Sequence, residues 1–225
     1  MLNLQFIRTA VMQTVPYNWA LVKNLLSPEA SLELTASFPH REFQLSTGEG
    51  YGYYWGKILA PSQDIPLMLK FKDDRWRQRL AQGRLTSDLR HLSHVWRQLI
   101  QGLWTDTYRA ALAEMSGLDL KDCVMDIGFR QYQSGHQHFP HTDEPNKVLT
   151  HLLFFNQQWS RDWGGCLRIL KNSRPESAFK DILPLSHLSV VIVRSENSWH
   201  MVTPLNTPAS ERRLALRVAF FQNVA

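Results

Sequence analysis

Cysteine is scarce in this chain: Cys123 and Cys166 are the only two in 225 residues. Two thiols cannot build a disulfide framework, which excludes a disulfide-stapled secreted scaffold and favours a reducing cytoplasm. No apolar run approaches the roughly 20 residues a membrane-crossing helix requires. The apolar N-terminal stretch is broken by Arg8, Gln13, Pro16 and Asn18, so it lacks a signal-peptide core. Dense basic blocks are missing as well. The formal net charge is +5, yet the lysines and arginines are dispersed, which argues against a nucleic-acid partner. There is no internal repeat, low-complexity tract or linker.

What is present describes one globular unit. An apolar share of 44% and a charged share of 20% are ordinary for a globular protein, and the length supports a substantial core. Residues 1–225 are therefore expected to form a single domain, with helical and lid elements over 1–121 and a core over 122–225. A strand is expected around Leu2–Val11 and a turn at Pro16–Asn18. Ser27-Pro28-Glu29 reads as a helix start, with Ser as N-cap, Pro next and an acidic first turn, running to about Ser37. Between His40 and Asp74, Gly48, Gly50, Gly52 and Gly56 alternate with Tyr51, Tyr53, Tyr54 and Trp55. That composition suits either a substrate-covering lid or a twisted hairpin whose aromatics complete the core.

From Leu85 to Met115 the period becomes helical, with Leu89, Leu92, Val95, Trp96, Leu99, Ile100 and Leu103 on one face and Gly117 closing the region. His91 and His94 share that helix, but no carboxylate completes a metal site with them, and a solvated face is the expected role. After Asp122 short apolar runs bounded by Gly, Pro, Asn and Ser follow one another: Cys123–Tyr132, Thr150–Phe155, Cys166–Leu170, Leu188–Val193 and Leu214–Phe221. Such punctuation predicts a two-sheet sandwich or jelly roll.

The chemistry concentrates in His141-Thr142-Asp143 and the distant His200. Two imidazoles and one carboxylate are the ligand set of a non-haem Fe(II) facial triad, which leaves the opposite face of the metal open. On a strand His141 and Asp143 would share a side while Thr142 points away. An H-x-D pair alone is weak, and a histidine beside Trp199 is more often a satisfied core residue than a ligand.

The surroundings raise the specificity. Tyr132-Gln133-Ser134-Gly135 precedes His141-Thr142-Asp143. Thr150 through Asn156, Gly164-Gly165-Cys166-Leu167-Arg168-Ile169, the apolar run Val190–Val193, His200-Met201-Val202-Thr203-Pro204 and Arg213 with its alternating apolar residues follow in order. This order resembles the prolyl-4-hydroxylase-like branch of the Fe(II)/2-oxoglutarate-dependent dioxygenases, which includes the hypoxia-sensing prolyl hydroxylases. The resemblance runs from Asp126 to Phe221.

It implies a mainly β fold with flanking helices, a double-stranded β-helix (jelly roll, cupin-like), with His141, Asp143 and His200 as metal ligands. It also implies Fe(II) and 2-oxoglutarate as cofactor and co-substrate, with ascorbate as a candidate stimulant. Arg213 would hold the distal carboxylate of 2-oxoglutarate, Arg217 being the rival on the same face, and Arg212 would face away. Tyr132, Thr150 and Leu167 would line the co-substrate, and His138 and Trp199 would wall the pocket. A carboxylate at position 143, where halogenating relatives carry a small residue, implies hydroxylation or another oxidative outcome.

The nucleic-acid demethylating relatives carry a second arginine six residues after the first. Val218 and Ala219 stand in those places here, so that signature is missing. The mild positive charge then suits an anionic co-substrate and substrate. The expected reaction is hydroxylation of an unactivated C–H bond of a small metabolite (an amino acid or natural-product intermediate) with release of succinate and CO2. The alternatives are a prolyl-type protein residue hydroxylase and a non-catalytic cupin-like metal-binding or sensor module.

Overall fold

The computed structural model describes residues 1–39, 43–58, 85–86 and 89–222. Their organising feature is one curled, mostly antiparallel 12-stranded sheet. The strands are β1 (Trp19–Lys23), β2 (Gln44–Gly48), β3 (Tyr51–Ile58), β4 (Leu85–Thr86), β5 (Val124–Tyr132) and β6 (His138–His141), then β7 (Lys147–Phe154), β8 (Leu167–Leu170), β9 (Ala178–Ile182), β10 (Leu188–Val193), β11 (His200–Val202) and β12 (Arg213–Phe221). They run in the order β1-β10-β7-β12-β5-β3-β6-β11-β8-β9, with β2 and β4 both beside β3. The sheet bends back between β3 and β6, so the short strands face the long ones across a half-barrel. This is the jelly roll expected from the sequence.

The long strands show why the sheet has two unlike faces. Along β12, Leu214, Leu216, Val218 and Phe220 join a large apolar core, while Arg213, Ala215, Arg217 and Ala219 alternate to the inner face. The register carries the division across neighbours, because Arg213 stands opposite Tyr132 and Ala215 opposite Arg130 and Phe154. A slip of one residue would send every guanidinium into the apolar layer.

Helices cover the outer face. α1 (Gln5–Arg8), α2 (Pro28–Ala36), α3 (His94–Leu103) and α4 (Asp106–Ser116) are the described ones. Ser27, Ser93 and Thr105 cap α2, α3 and α4 by accepting from Ala30, Trp96 and Tyr108 N–H. Gly117 ends α4 in the left-handed conformation, φ 71°. Trp96 is the centre of this layer. It lies edge-on to Phe129 with ring centroids 4.9 Å apart, tilts against Phe155 at 4.8 Å, and donates its indole N–H to the Leu34 carbonyl.

Several local expectations change. The Leu2–Val11 segment is not a strand: α1 occupies it, burying Ile7 and pairing Arg8 with Glu114 of α4 at 2.7 Å. The helical region expected from Leu85 begins at His94, and Thr105 divides it by capping a second helix. Leu85-Thr86 instead pairs in parallel with β3. The aromatic glycine-rich stretch resolves as the β2–β3 hairpin, with β3 bonded to β5. The remainder of the proposed lid, 59–74, lies outside the described residues. No described helix is long and apolar enough to cross a membrane.

A buried polar chain crosses the outer layer. Tyr108 of α4 bonds His151 Nδ1 at 2.7 Å, and His151 Nε2 bonds Ser189 at 2.9 Å. Both ring nitrogens are thus satisfied in a site closed to solvent, and burial alone lowers the His151 pKa to about 3.

Candidate active site

Antiparallel pairing brings the candidate ligands together. His200, the first residue of β11, stands directly opposite His141, the last of β6, and their ring centroids are 4.3 Å apart. Asp143 is not on the strand as expected but two residues past its end. Its position is set from β7: Thr150 donates to Asp143 Oδ2 at 2.7 Å and Lys147 forms an ion pair with Oδ1. Ligand atoms of His141, Asp143 and His200 all lie within 4.8 Å of one another, and this is the only such group among the described residues.

The donor chemistry fits a divalent metal. His141 Nδ1 lies 2.8 Å from the Phe139 carbonyl and His200 Nδ1 2.9 Å from the Ser198 carbonyl. A carbonyl only accepts, so Nδ1 carries the proton on both rings and the Nε2 lone pair remains for a metal. Burial, with the neighbouring imidazole, lowers His141 to about 3, and burial lowers His200 as well. Both rings are neutral at physiological pH, as metal ligation requires. For Asp143 burial acts upward, but Lys147, His200 and His141 outweigh it and hold the carboxyl well below the usual carboxylate range. The carboxylate is ionised.

A cavity of about 340 Å³ opens beside the triad, lined on its inner wall by Tyr132, Thr150, Leu167, Arg213 and Arg217. Arg213 is 2% exposed. Its Nε donates to the Gly165 carbonyl at 2.7 Å, and its guanidinium lies 5.0 Å from the Tyr132 ring and 5.2 Å from the Phe154 ring. Among the described residues its other N–H groups have no acceptor. A buried cation with open donors demands an anion, and a planar carboxylate matches it bidentately.

The Gly164-Gly165 turn makes this seat possible. Both glycines have positive φ, and a Cβ on Gly164 would fall 1.9 Å from the Pro204 carbonyl oxygen. Tyr132 reinforces the site with a hydroxyl that burial, against the pull of Arg213, pushes up to about 12. It therefore stays a donor.

Arg217 shares the cavity wall but is already committed, its Nη2 donating to Asp126 at 3.0 Å. Arg212 faces elsewhere and bonds Gln133 at 2.6 Å. Thr150 donates to Asp143 and, like Leu167, lines the cavity. His138 also lines it, its ring 3.9 Å from His141. Trp199 does not wall the cavity, and its carbonyl accepts from Tyr17 at 2.9 Å.

Sequence reasoning missed Lys147 and Arg130 and left Tyr51 and Tyr53 between a lid and a hairpin. The tyrosines were visible as an aromatic cluster, but nothing local marked Lys147 or Arg130 as inward-facing. His91 and His94 belong to no metal-type cluster among the described residues. A larger cleft of about 720 Å³, lined by Gln131, Gln133, Asn156, Gln157 and Arg212 among others, contains none of the triad.

Comparison with known proteins agrees with this geometry. Residues 127–221 match the family model of the 2OG-Fe(II) oxygenase superfamily. No curated protein sequence is matched significantly. Among solved structures, a Pseudomonas putida prolyl-4-hydroxylase superposes with a TM-score of 0.66 at 19% identity, covering 96% of this chain and 99% of that one. A Trichoplax adhaerens prolyl hydroxylase, solved with a peptide fragment of the hypoxia inducible factor oxygen degradation domain, gives 0.61 at 16% identity, covering 97% and 88%. The non-heme alpha ketoglutarate dependent epimerase SnoN from nogalamycin biosynthesis gives 0.51 at 10% identity, covering 91% and 77%. Residues 127–221 thus carry that superfamily's pattern, on a half-barrel that is built around a His-Asp-His cluster and has the prolyl-4-hydroxylase-like fold.

Proposed function

We propose that the chain is a single oxygenase unit that hydroxylates an unactivated C–H bond of a small metabolite and releases succinate and CO2. The observation that carries this reading is the cluster itself: two Nε2 lone pairs and one ionised carboxylate within 4.8 Å, beside a buried Arg213 with open donors on the same cavity. Bound Fe(II) with 2-oxoglutarate supplies O2 activation coupled to decarboxylation.

The residues do the positioning. His141, His200 and Asp143 hold the metal, and the Phe139 and Ser198 carbonyls keep the imidazoles in the ligating tautomer. Thr150 orients Asp143. Arg213 pairs with the distal carboxylate of 2-oxoglutarate, Tyr132 donates its hydroxyl to the same molecule, and Leu167 packs on its chain. Tyr51, Tyr53 and His138 line the opposite wall and limit water around the reacting carbon. A cavity of about 340 Å³ is at the small end of ligand sites, which favours a metabolite over a large substrate. Free thiols at Cys123 and Cys166 suit the reducing cytoplasm inferred from cysteine scarcity.

The test is succinate formation from 2-oxoglutarate with Fe(II), screened against metabolites and, in a second arm, proline-containing peptides. Stimulation by a metabolite supports the reading. Turnover of peptides alone would replace the substrate class, and absence of succinate under every condition would remove the activity.

A further inference from the structure

Among the described residues, one cation in the cavity forms no ion pair. Lys147 is paired with Asp143 and with Glu144, and Arg217 is paired with Asp126. Divalent iron balances dianionic 2-oxoglutarate, whose distal carboxylate meets Arg213. Arg130 remains. It is 8% exposed, lines the cavity, and donates only to the Phe129 carbonyl, at 2.8 Å. Among the described residues its remaining N–H groups have no acceptor and it forms no ion pair.

Its position separates it from Arg213. Arg213 sits deep, between the Tyr132 and Phe154 rings and the Gly165 carbonyl. Arg130 lies toward the hairpin, its guanidinium 5.0 Å from the Tyr53 ring, with His138 6.0 Å from Tyr53 and 3.9 Å from His141. An anion bound at Arg130 is thereby held on the metal side of the cavity, away from the inner end. Burial and then the neighbouring Arg217 lower the Arg130 pKa, and together they outweigh the opposing pull of Tyr53, Tyr132 and the Arg217-paired Asp126. Retaining a buried, uncompensated guanidinium is costly to the empty protein, and a ligand anion removes that cost.

We propose that Arg130 is a second anion seat, and that the substrate is a small molecule whose carboxylate binds there while its reacting carbon faces the metal. A monoanion matches the one surplus positive charge, and the planar guanidinium stacked on Tyr53 suits a carboxylate. This rests on the oxygenase reading above.

The experiment is anaerobic titration calorimetry on the full protein loaded with Fe(II) and 2-oxoglutarate. The probes are free L-amino acids and simple monocarboxylic acids, each beside its neutral primary amide. The best acids are expected to bind about tenfold or more tightly than their amides. Arg130→Gln should erase that preference and Arg130→Lys should keep part of it. The affinity for 2-oxoglutarate should fall steeply in Arg213→Gln and change less than about threefold in Arg130→Gln.

Acids and amides that bind alike, or acids that do not bind at all, overturn the proposal in the wild type without any variant. A preference surviving in folded Arg130→Gln also overturns it, as does a loss of 2-oxoglutarate affinity from Arg130→Gln in place of Arg213→Gln. Failure of the parent reading looks different: the visible absorption of the Fe(II)–2-oxoglutarate chelate would not form in the wild type.

Discussion

Two histidine sites occupy opposite faces of the same sheet. In the outer one, His151 bonds Tyr108 through Nδ1 and Ser189 through Nε2, and the ring is fully buried. In the inner one, His141 and His200 give Nδ1 to backbone carbonyls and turn Nε2 toward Asp143 and a cavity. Burial keeps all three rings neutral. Burial and neutrality therefore do not make a ligand. A free lone pair, a carboxylate beside it and room for a substrate do.

The largest test of that contrast is His200→Ala, which should weaken Fe(II) binding by more than the roughly 100-fold that an outer hydrogen-bond partner can cost. Equilibrium dialysis with Fe(II) decides it, and unchanged affinity would remove His200 from the ligand set. Arg213→Gln should raise the KM for 2-oxoglutarate by about 100-fold while Fe(II) still binds. If Arg217→Gln does this instead, the anchor lies elsewhere on β12.

His151→Leu should do the reverse of His200→Ala. It should lower unfolding free energy by roughly 1–3 kcal/mol for each partner left unpaired, Tyr108 and Ser189, and leave Fe(II) affinity within about twofold. Urea denaturation and dialysis on the same variant measure both, and lost iron binding in a folded His151→Leu protein would break the comparison.

Thr150→Val should cost about tenfold in Fe(II) affinity by releasing Asp143, a smaller effect than loss of a ligand. The last prediction concerns pH. The folded pKa of His151 is lowered to about 3, below the unfolded value of about 6.5. Its contribution is thus fully present above pH about 6.5 and is lost as pH falls toward 3, by at most about 1.4 kcal/mol per pH unit, because the unfolded ring takes up a proton the folded ring refuses. Urea midpoints of metal-free protein at pH 7 and 5 should converge between wild type and His151→Leu. A gap that widens on acidification would show the ring is charged when folded.

Much of the site was readable before folding was considered. His141, Asp143, His200 and Arg213 were identifiable from short motifs, as were the α2 termini and the α4 C-terminus at Gly117, where capping acts within a few residues. The expected strand at Leu2–Val11 became α1 because Ile7 and Arg8 find their partners on α4, far along the chain. The lid-or-hairpin choice at Tyr51–Trp55 depended on whether β5 offered an edge to pair with. Trp199 lies next to His200 in sequence, yet it is not among the residues that line the cavity with it.

What the sequence by itself determined was the set of donor types and their order, because metal chemistry is written in residue identity and short spacing. Tertiary structure alone decided that Arg213 is open while Arg217 is paired, that Thr150 serves Asp143, and that Arg130 stands without a counter-charge. Those distinctions arise from strand register and cross-sheet contact, and neither is encoded within any one segment.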